Sequence, residues 1–197
     1  PAQVLTRLTA SGYVVAQRRA DVGTKVTGQL VSLLVEEGSV VEQGQVLARL
    51  ENEEATAQVH EARSNLNLAE ARLEEAGANL ENARRDFRRM ERLVESGAVS
   101  RSEYDTARTA YLAAQATRDA ARAAVEAGGA VLQRAKVALS YTEITAPFDA
   151  VVLTKNADVG DIVTSLGAAA QAKASVVTIA DLSSLQVEAD VSESNIG

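Results

Sequence analysis

Residues Val22–Val41 return as Ile144–Val163 at a constant offset of 122, and the sequence between the two copies has a different period altogether. Val22 falls on Ile144, Val26 on Phe148, Gly28 on Ala150, Leu30 on Val152, Gly38 on Gly160, Val40 on Ile162 and Val41 on Val163. Past this block the register slips, and Val46–Leu50 matches Val176–Ala180. Each copy alternates apolar and polar residues, the period of strands buried on one face. A Gly in each copy (Gly38, Gly160) supplies the positive φ that a tight turn between short strands demands. Two such halves predict one β-sandwich with internal pseudo-two-fold symmetry, cut in the middle to receive residues 52–140.

The inserted stretch has the period of a coiled coil. From Val59 the apolar positions step by three and four through Ala62, Leu66, Ala69, Leu73, Ala76, Leu80, Ala83, Phe87, Met90 and Val94. A second run takes Tyr104, Ala107, Tyr111, Ala114, Arg118, Ala121, Val125, Gly128, Leu132, Ala135 and Leu139, weakened only at Arg118 and Gly128. A period of 3.5 sustained in this way specifies left-handed helix pairing, and Ala at alternate core positions allows close approach. Ser96-Gly97-Ala98-Val99 breaks the runs, with Gly97 suited to a left-handed C-cap. Ser100-Arg101-Ser102-Glu103 then has capping-box form. So short a connection forces the helices antiparallel. Asn52, followed by Glu53 and Glu54, suits the start of the first helix. That helix would be about 66 Å long at ~1.5 Å per residue.

Composition excludes several functions. With no Cys, disulfides, thiol catalysis and Cys-ligated metals are ruled out. A net charge of −7 gives the whole chain no electrostatic support for nucleic-acid binding. His60 is the sole histidine and has no partner His or Cys, and no Ser/His/Asp set or phosphate-cradling Gly loop occurs. The reading is therefore not an enzyme, with no catalytic residues, no metal and no cofactor. No segment holds the roughly 20 apolar residues that span a bilayer. Leu185–Val191 alternates like a strand without a sheet to complete, so we read the chain as a piece of a longer protein.

Gly28 through Leu50 resembles half of a biotinyl/lipoyl-type domain, whose second half returns at Tyr141–Val152 and continues through Gly160-Asp161-Ile162-Val163. Together with the inserted hairpin, the chain resembles the periplasmic adaptor proteins, or membrane fusion proteins, of tripartite efflux pumps and type I secretion systems. The resemblance rests on Asp21–Leu30, on Tyr141-Thr142-Glu143-Ile144-Thr145-Ala146-Pro147 and on Thr178–Glu193. These segments look most similar to the MacA-type adaptors that work with an ABC transporter, followed by the adaptors of RND pumps. Ala150 departs from the family, which usually has Gly there.

The resemblance implies an α+β fold: a split lipoyl-like β-sandwich interrupted by a long antiparallel coiled-coil α-hairpin, with the beginnings of an adjoining β-barrel domain. Residues 1–11 would be a strand of that barrel, 12–51 with 141–182 the lipoyl-like domain, 52–140 the hairpin with its tip near 96–100, and 183–197 the truncated start of the barrel. The Ala-rich stretch Gly167–Lys173 reads as a loop within the second half. The family's tip pattern Arg-x3-Leu-x6-Ser is met by Arg89, Leu93 and Ser100. On spacing alone, Ser100 is an N-cap, Leu93 a plug and Arg89 one of several solvated arginines. The resemblance makes Arg89 and Leu93 partner-binding residues and lets Ser100 do both jobs. The family's lumen-narrowing loop corresponds to the region around Asn156–Gly160, with Asp158 and Val159 as lumen-facing candidates.

The implied partners are a TolC-type outer-membrane channel, an inner-membrane ABC or RND transporter reached through domains outside this chain, and further copies of the chain in a hexameric ring. The implied location is the periplasm, anchored to the inner membrane in the full-length protein. A swinging lipoyl or biotinyl carrier domain is the alternative from another class. It needs a modifiable Lys near Leu50-Glu51, and there is none between Lys25 and Lys136. A coiled-coil scaffold with unrelated partners would leave the split β-module without a purpose.

Overall fold

The computed structural model describes residues 11–165 and 173–190, and at 11, 12, 189 and 190 the backbone alone. The fold is α+β, and the chain divides into two compact units: residues 52–140, and the chain on either side of them.

In the β-unit one copy of the repeat supplies β2 (Arg19–Val22), β3 (Gly28–Leu33), β4 (Val40–Val41) and β5 (Val46–Leu50). The other supplies β6 (Glu143–Thr145), β7 (Ala150–Lys155), β8 (Ile162–Val163) and β9 (Val177–Ala180). One sheet has the order β2-β9-β7-β4 and the other β6-β5-β3-β8. Exchanging β2 with β6, β3 with β7, β4 with β8 and β5 with β9 converts one order into the other. The pseudo-two-fold is therefore real, and each sheet is woven from both copies.

The backbone hydrogen bonds obey the same symmetry. Gly38 N–H donates to the Val152 carbonyl (2.8 Å) and Val152 N–H to that of Ser39 (3.0 Å). In the mirror set, Gly160 N–H donates to Leu30 (2.8 Å) and Leu30 N–H to Asp161 (2.9 Å). Gly38 and Gly160 hold φ of +87° and +99°. One irregularity repeats, the pairing shift between Leu30 and Ser32 on β3 and between Val152 and Thr154 on β7, whereas the shift between Val46 and Ala48 on β5 has no counterpart where β9 pairs with β2. Val31 and Leu153, the extra residues, are exposed apolar side chains.

One continuous core takes a residue from each of the eight strands, among them Leu30, Val41, Leu47, Val152, Val163 and Ile179. The symmetry lapses at Arg49, which lies on the surface 3.2 Å from Glu143, whereas its counterpart Ile179 is fully buried. Ala150 sits buried at the start of β7 opposite Val41, and no described non-Gly residue has a positive φ. Alanine at the family's Gly position is thus accommodated without strain.

β1 (Ser11–Ala16) pairs antiparallel with β10 (Leu185–Asp190) in a two-stranded sheet of their own. Residues 12–16, expected in the lipoyl-like domain, belong by pairing with Leu185–Asp190, and the four-stranded sheets begin at Arg19. Alternation reads as strand in either place; only the partner strand decides. The further barrel strands expected in residues 1–10 and 191–197, and all of the Gly167–Lys173 loop except Lys173, lie outside the described residues.

The hairpin unit consists of α1 (Glu53–Glu95) and α2 (Arg101–Ser140). Every position of both heptad runs is buried or half-buried, and most are only half-buried because each helix has one partner to pack against. Phe87 stacks on Tyr111 at 5.5 Å between ring centres and tilts against Tyr104 at 5.6 Å, which makes both tyrosines packing residues. Asn52 does not cap α1 with its side chain; its carbonyl receives the Thr56 N–H instead (2.8 Å), and Glu53 and Glu54 provide the favourable charge of the first turn.

Pairing positions that sum to about 198 sets Phe87 against Tyr111, as their stacked rings show, and Leu66 near Leu132. Leu66 lies against Gly128, where a Cβ would stand 3.6 Å from the Leu66 Cα and 3.8 Å from its Cβ. The glycine is what admits the leucine. A Cβ separation of 3.8 Å is the usual one for a disulfide. Leu66→Cys with Gly128→Cys should therefore cross-link within one chain on oxidation and raise hairpin stability by up to about 4 kcal/mol. Leu66→Cys with Leu132→Cys should not. Mobility on non-reducing gels and the melting temperature with and without reductant would check both, and the reverse outcome would put the register one turn off.

Candidate docking site at the hairpin tip

α1 ends in a Schellman motif. The Gly97 N–H donates to the Val94 carbonyl (3.1 Å) and the Ala98 N–H to that of Leu93 (2.9 Å). Gly97 supplies the left-handed residue at φ +74°, which leaves room for the Ser96 hydroxyl to donate to Leu93 as well (3.0 Å).

Three residues later α2 begins in a full capping box. The Glu103 N–H donates to Ser100 Oγ (3.2 Å), while the Ser100 N–H and hydroxyl both donate to Glu103 Oε2 (2.7 and 2.8 Å). The tip is thus closed at both helix ends by its own hydrogen bonds.

The Ser100 backbone N–H, and then its hydroxyl, hold the Glu103 carboxyl below its ordinary pKa of 4.5. A folded-state pKa that is depressed contributes stability above the unfolded value and loses it as pH falls through the folded one. The cap should accordingly be intact above about pH 4.5 and open in more acid solution. In an NMR titration Glu103 should have its midpoint below the ordinary value of 4.5. Ser100→Ala should return it toward the ordinary value and cost the hairpin about 1 kcal/mol. An unchanged midpoint in that variant would show that the cap does not set the titration.

Arg89 and Leu93 stand one turn apart on one face of α1, the face that leads to the tip. The Arg89 guanidinium donates through Nη2 to Asp86 Oδ1 at 2.6 Å, so one of its five donors is engaged while the side chain stays 55% exposed. Leu93 is half-buried. A groove of about 530 Å³ runs between the helices here, lined by Ala83, Asp86, Arg89 and Met90 on α1 and by Glu103, Thr106 and Ala107 among others on α2. Ser100 is not part of that wall, and its hydroxyl is committed to the cap. The structure therefore groups Arg89 with Met90 and Asp86 and leaves Ser100 as the residue that shapes the turn. Asp86 was legible as an i−3 partner for Arg89. Thr106 and Ala107 become neighbours of Arg89 only once the register is known. Other tip arginines join the mixed-charge surface, as in Arg84 with Glu81 at 3.9 Å.

The loop after β7 is tied down rather than free. Lys155 Nζ lies 2.6 Å from Asp158 Oδ1, and that carboxylate raises the Lys155 pKa. The Asp158 N–H donates to Asp161 Oδ2 (2.8 Å) and, with Lys173 at 2.8 Å, keeps the Asp161 pKa below its ordinary value. Asp158 is thus held by ion pairing, and Val159 projects with 61% of its surface exposed.

Residues 65–142 match the family described as RND MFP, alpha-helical hairpin domain. The whole chain aligns with the macrolide export protein MacA of Escherichia coli O157:H7, at 34% identity over 196 residues, and covers 52% of that protein. The chain belongs to the membrane fusion protein family. A second relative, the pyoverdine export membrane fusion protein PvdR of Pseudomonas aeruginosa, is 32% identical over 190 residues, 96% of this chain and 48% of PvdR. The crystal structure of MacA from Actinobacillus actinomycetemcomitans superposes with a TM-score of 0.82 at 24% identity, covering 98% of this chain and 58% of that one, which supports the fold. This membrane fusion protein chain spans about half the length of the curated relatives it matches. No helix among its described residues is long and apolar enough to cross a membrane.

Proposed function

We propose that the chain is the hairpin and split β-module of a periplasmic adaptor in a tripartite export pump. In this reading it bridges an inner-membrane transporter, of ABC type before RND type, to a TolC-type outer-membrane channel. The β-modules of six copies pack into a ring, with Asp158 and Val159 on the loop that faces its lumen. The hairpins carry the contact outward, and the full-length protein is held at the inner membrane. The observation that carries this reading is the tip: a two-helix rod, 43 residues on its first helix, closed by a Schellman motif and a capping box and presenting Arg89 beside a groove.

Two relatives are named for export, one of macrolides and one of pyoverdine, which supports an export role for this chain without naming its cargo. The carrier alternative has no support, since the stretch from Glu53 to Ser140, where its modified Lys turn would stand, is α1, the tip and α2. A photoreactive residue in place of Leu93 in the full-length protein should capture the outer-membrane channel in cells, while one at Gln58, near the start of α1, should not. Equal capture from both positions, or none from Leu93, would remove the docking assignment. Native mass spectrometry of the full-length protein with its transporter should show six copies of the adaptor.

A further inference from the structure

Two features of the hairpin coincide at one level, roughly midway along the rod. Gly77 lies inside α1, yet a Cβ built there would meet no side chain or neighbouring element among the described residues within 4 Å. No packing need explains a glycine at that position, and glycine weakens a helix interior through backbone entropy. Across from it Arg118 occupies a core position of α2, where the surrounding heptad pattern calls for an apolar side chain. Its side chain is 33% exposed, and Nε lies 3.3 Å from Asp119 Oδ1. That separation balances charge, but the geometry is not a hydrogen bond, and Nε is buried without a hydrogen-bond partner among the described residues. A groove of about 600 Å³ that reaches this level runs from Asn65 to Asn79 on α1 and from Thr117 to Ala124 on α2, as other grooves run along the rest of the rod.

Gly128 makes an instructive contrast. It is also a helical glycine, but Leu66 fills the space it leaves, with Cδ1 3.3 Å from where a Cβ would sit. Gly129 beside it has open space as Gly77 does, so what sets the Gly77–Arg118 level apart is an interior glycine on one helix facing, on the other, an Arg118 Nε buried without a hydrogen-bond partner among the described residues.

We propose that the Gly77–Arg118 level is a flexural point built into the rod, at which the tip-bearing half of the hairpin opens locally and tilts on the basal half. The outer half spans α1 beyond Gly77 and α2 up to Thr117, and it carries Arg89, Leu93 and the capped turn. Tilt at this level lets a rigid, self-capped tip meet its partner over a range of angles without unfolding the caps. The inference concerns the mechanics of the rod and does not depend on which partner the tip meets.

Hydrogen–deuterium exchange along the hairpin of this chain tests it. A uniform two-helix rod exchanges faster toward its frayed tip. A flexural point instead gives a local maximum at residues 77–82 and 115–121, with amides about tenfold faster than those of residues 84–90, which lie nearer the tip. In the Gly77→Ala/Arg118→Leu double variant the maximum should vanish, and Gly77→Ala alone should reduce it in part. Exchange that rises steadily from base to tip would overturn the proposal, as would a mid-rod maximum that persists unchanged in the double variant.

Discussion

Full-length protein carrying Leu93→Asp or Arg89→Asp should lose export while its isolated hairpin stays folded. Leu93 is half-buried at the tip, and completing its burial against a partner is worth up to about 1.5–3 kcal/mol, or roughly 10- to 150-fold in affinity. Placing a carboxylate there forfeits that gain and adds a desolvation cost. Arg89 offers donors suited to a carboxylate or an exposed helix-end carbonyl, and reversing its charge turns attraction into repulsion. Inside the hairpin Arg89 makes only the exposed pair with Asp86, so its loss costs about 0.2–0.5 kcal/mol. Export assays beside melting curves separate the two effects. Arg89→Gln and Leu93→Ala guard against misfolding, and each should reduce export in proportion to the contact removed. Export that survives all four variants at normal protein levels would reduce the tip to a capped turn.

The second large effect concerns the β-unit. Chain removed from 52–140 and replaced by Asn-Gly should leave a soluble β-rich domain. β5 and β6 are already antiparallel neighbours: Arg49 pairs with Glu143, and the Leu50 N–H donates to the Thr142 carbonyl at 2.8 Å. Glu51 and Tyr141 thus stand where a two-residue type I′ turn closes a hairpin. Circular dichroism should show β-structure with a cooperative melt. In that background Ile179→Ala, at a site with no exposed surface, should lower stability by about 2–5 kcal/mol. An unfolded deletion product would mean that the two copies of the repeat need the hairpin to find each other.

Much of this arrangement is legible residue by residue. The hairpin's core positions follow from the 3-4 spacing because a helix with one partner buries one stripe, and that stripe is local in sequence. Ser100 and Glu103 declare a capping box because the bonds span three residues. Asn52 shows the limit of such local signals: the residue type suits a cap, but its backbone stands at φ −133° and ψ 9°, and its side chain makes no capping bond. The tip groove was less visible. Arg89 and Asp86 could be paired by spacing, whereas Thr106 and Ala107 join them only through the interhelical register. That register sets Leu66 into the space Gly128 leaves and stacks Phe87 on Tyr111.

The sequence by itself determined that the chain holds one β-repeat in two copies, that a two-helix rod separates them, and that the rod closes at Gly97 and Ser100. Each of these rests on a period or on bonds between near neighbours. Only the tertiary structure decided which strands share a sheet. An alternating strand offers its N–H and C=O groups equally to any partner, so the repeat at an offset of 122 fits two separate half-modules as well as one interleaved pair. The interleaved order leaves neither copy with a sheet of its own and lets one core draw on all eight strands. The same freedom let Ser11–Ala16 pair with Leu185–Asp190 in a sheet outside the repeat. Pairing between distant strands is settled by the apolar surface the whole assembly buries, a quantity that no single segment contains.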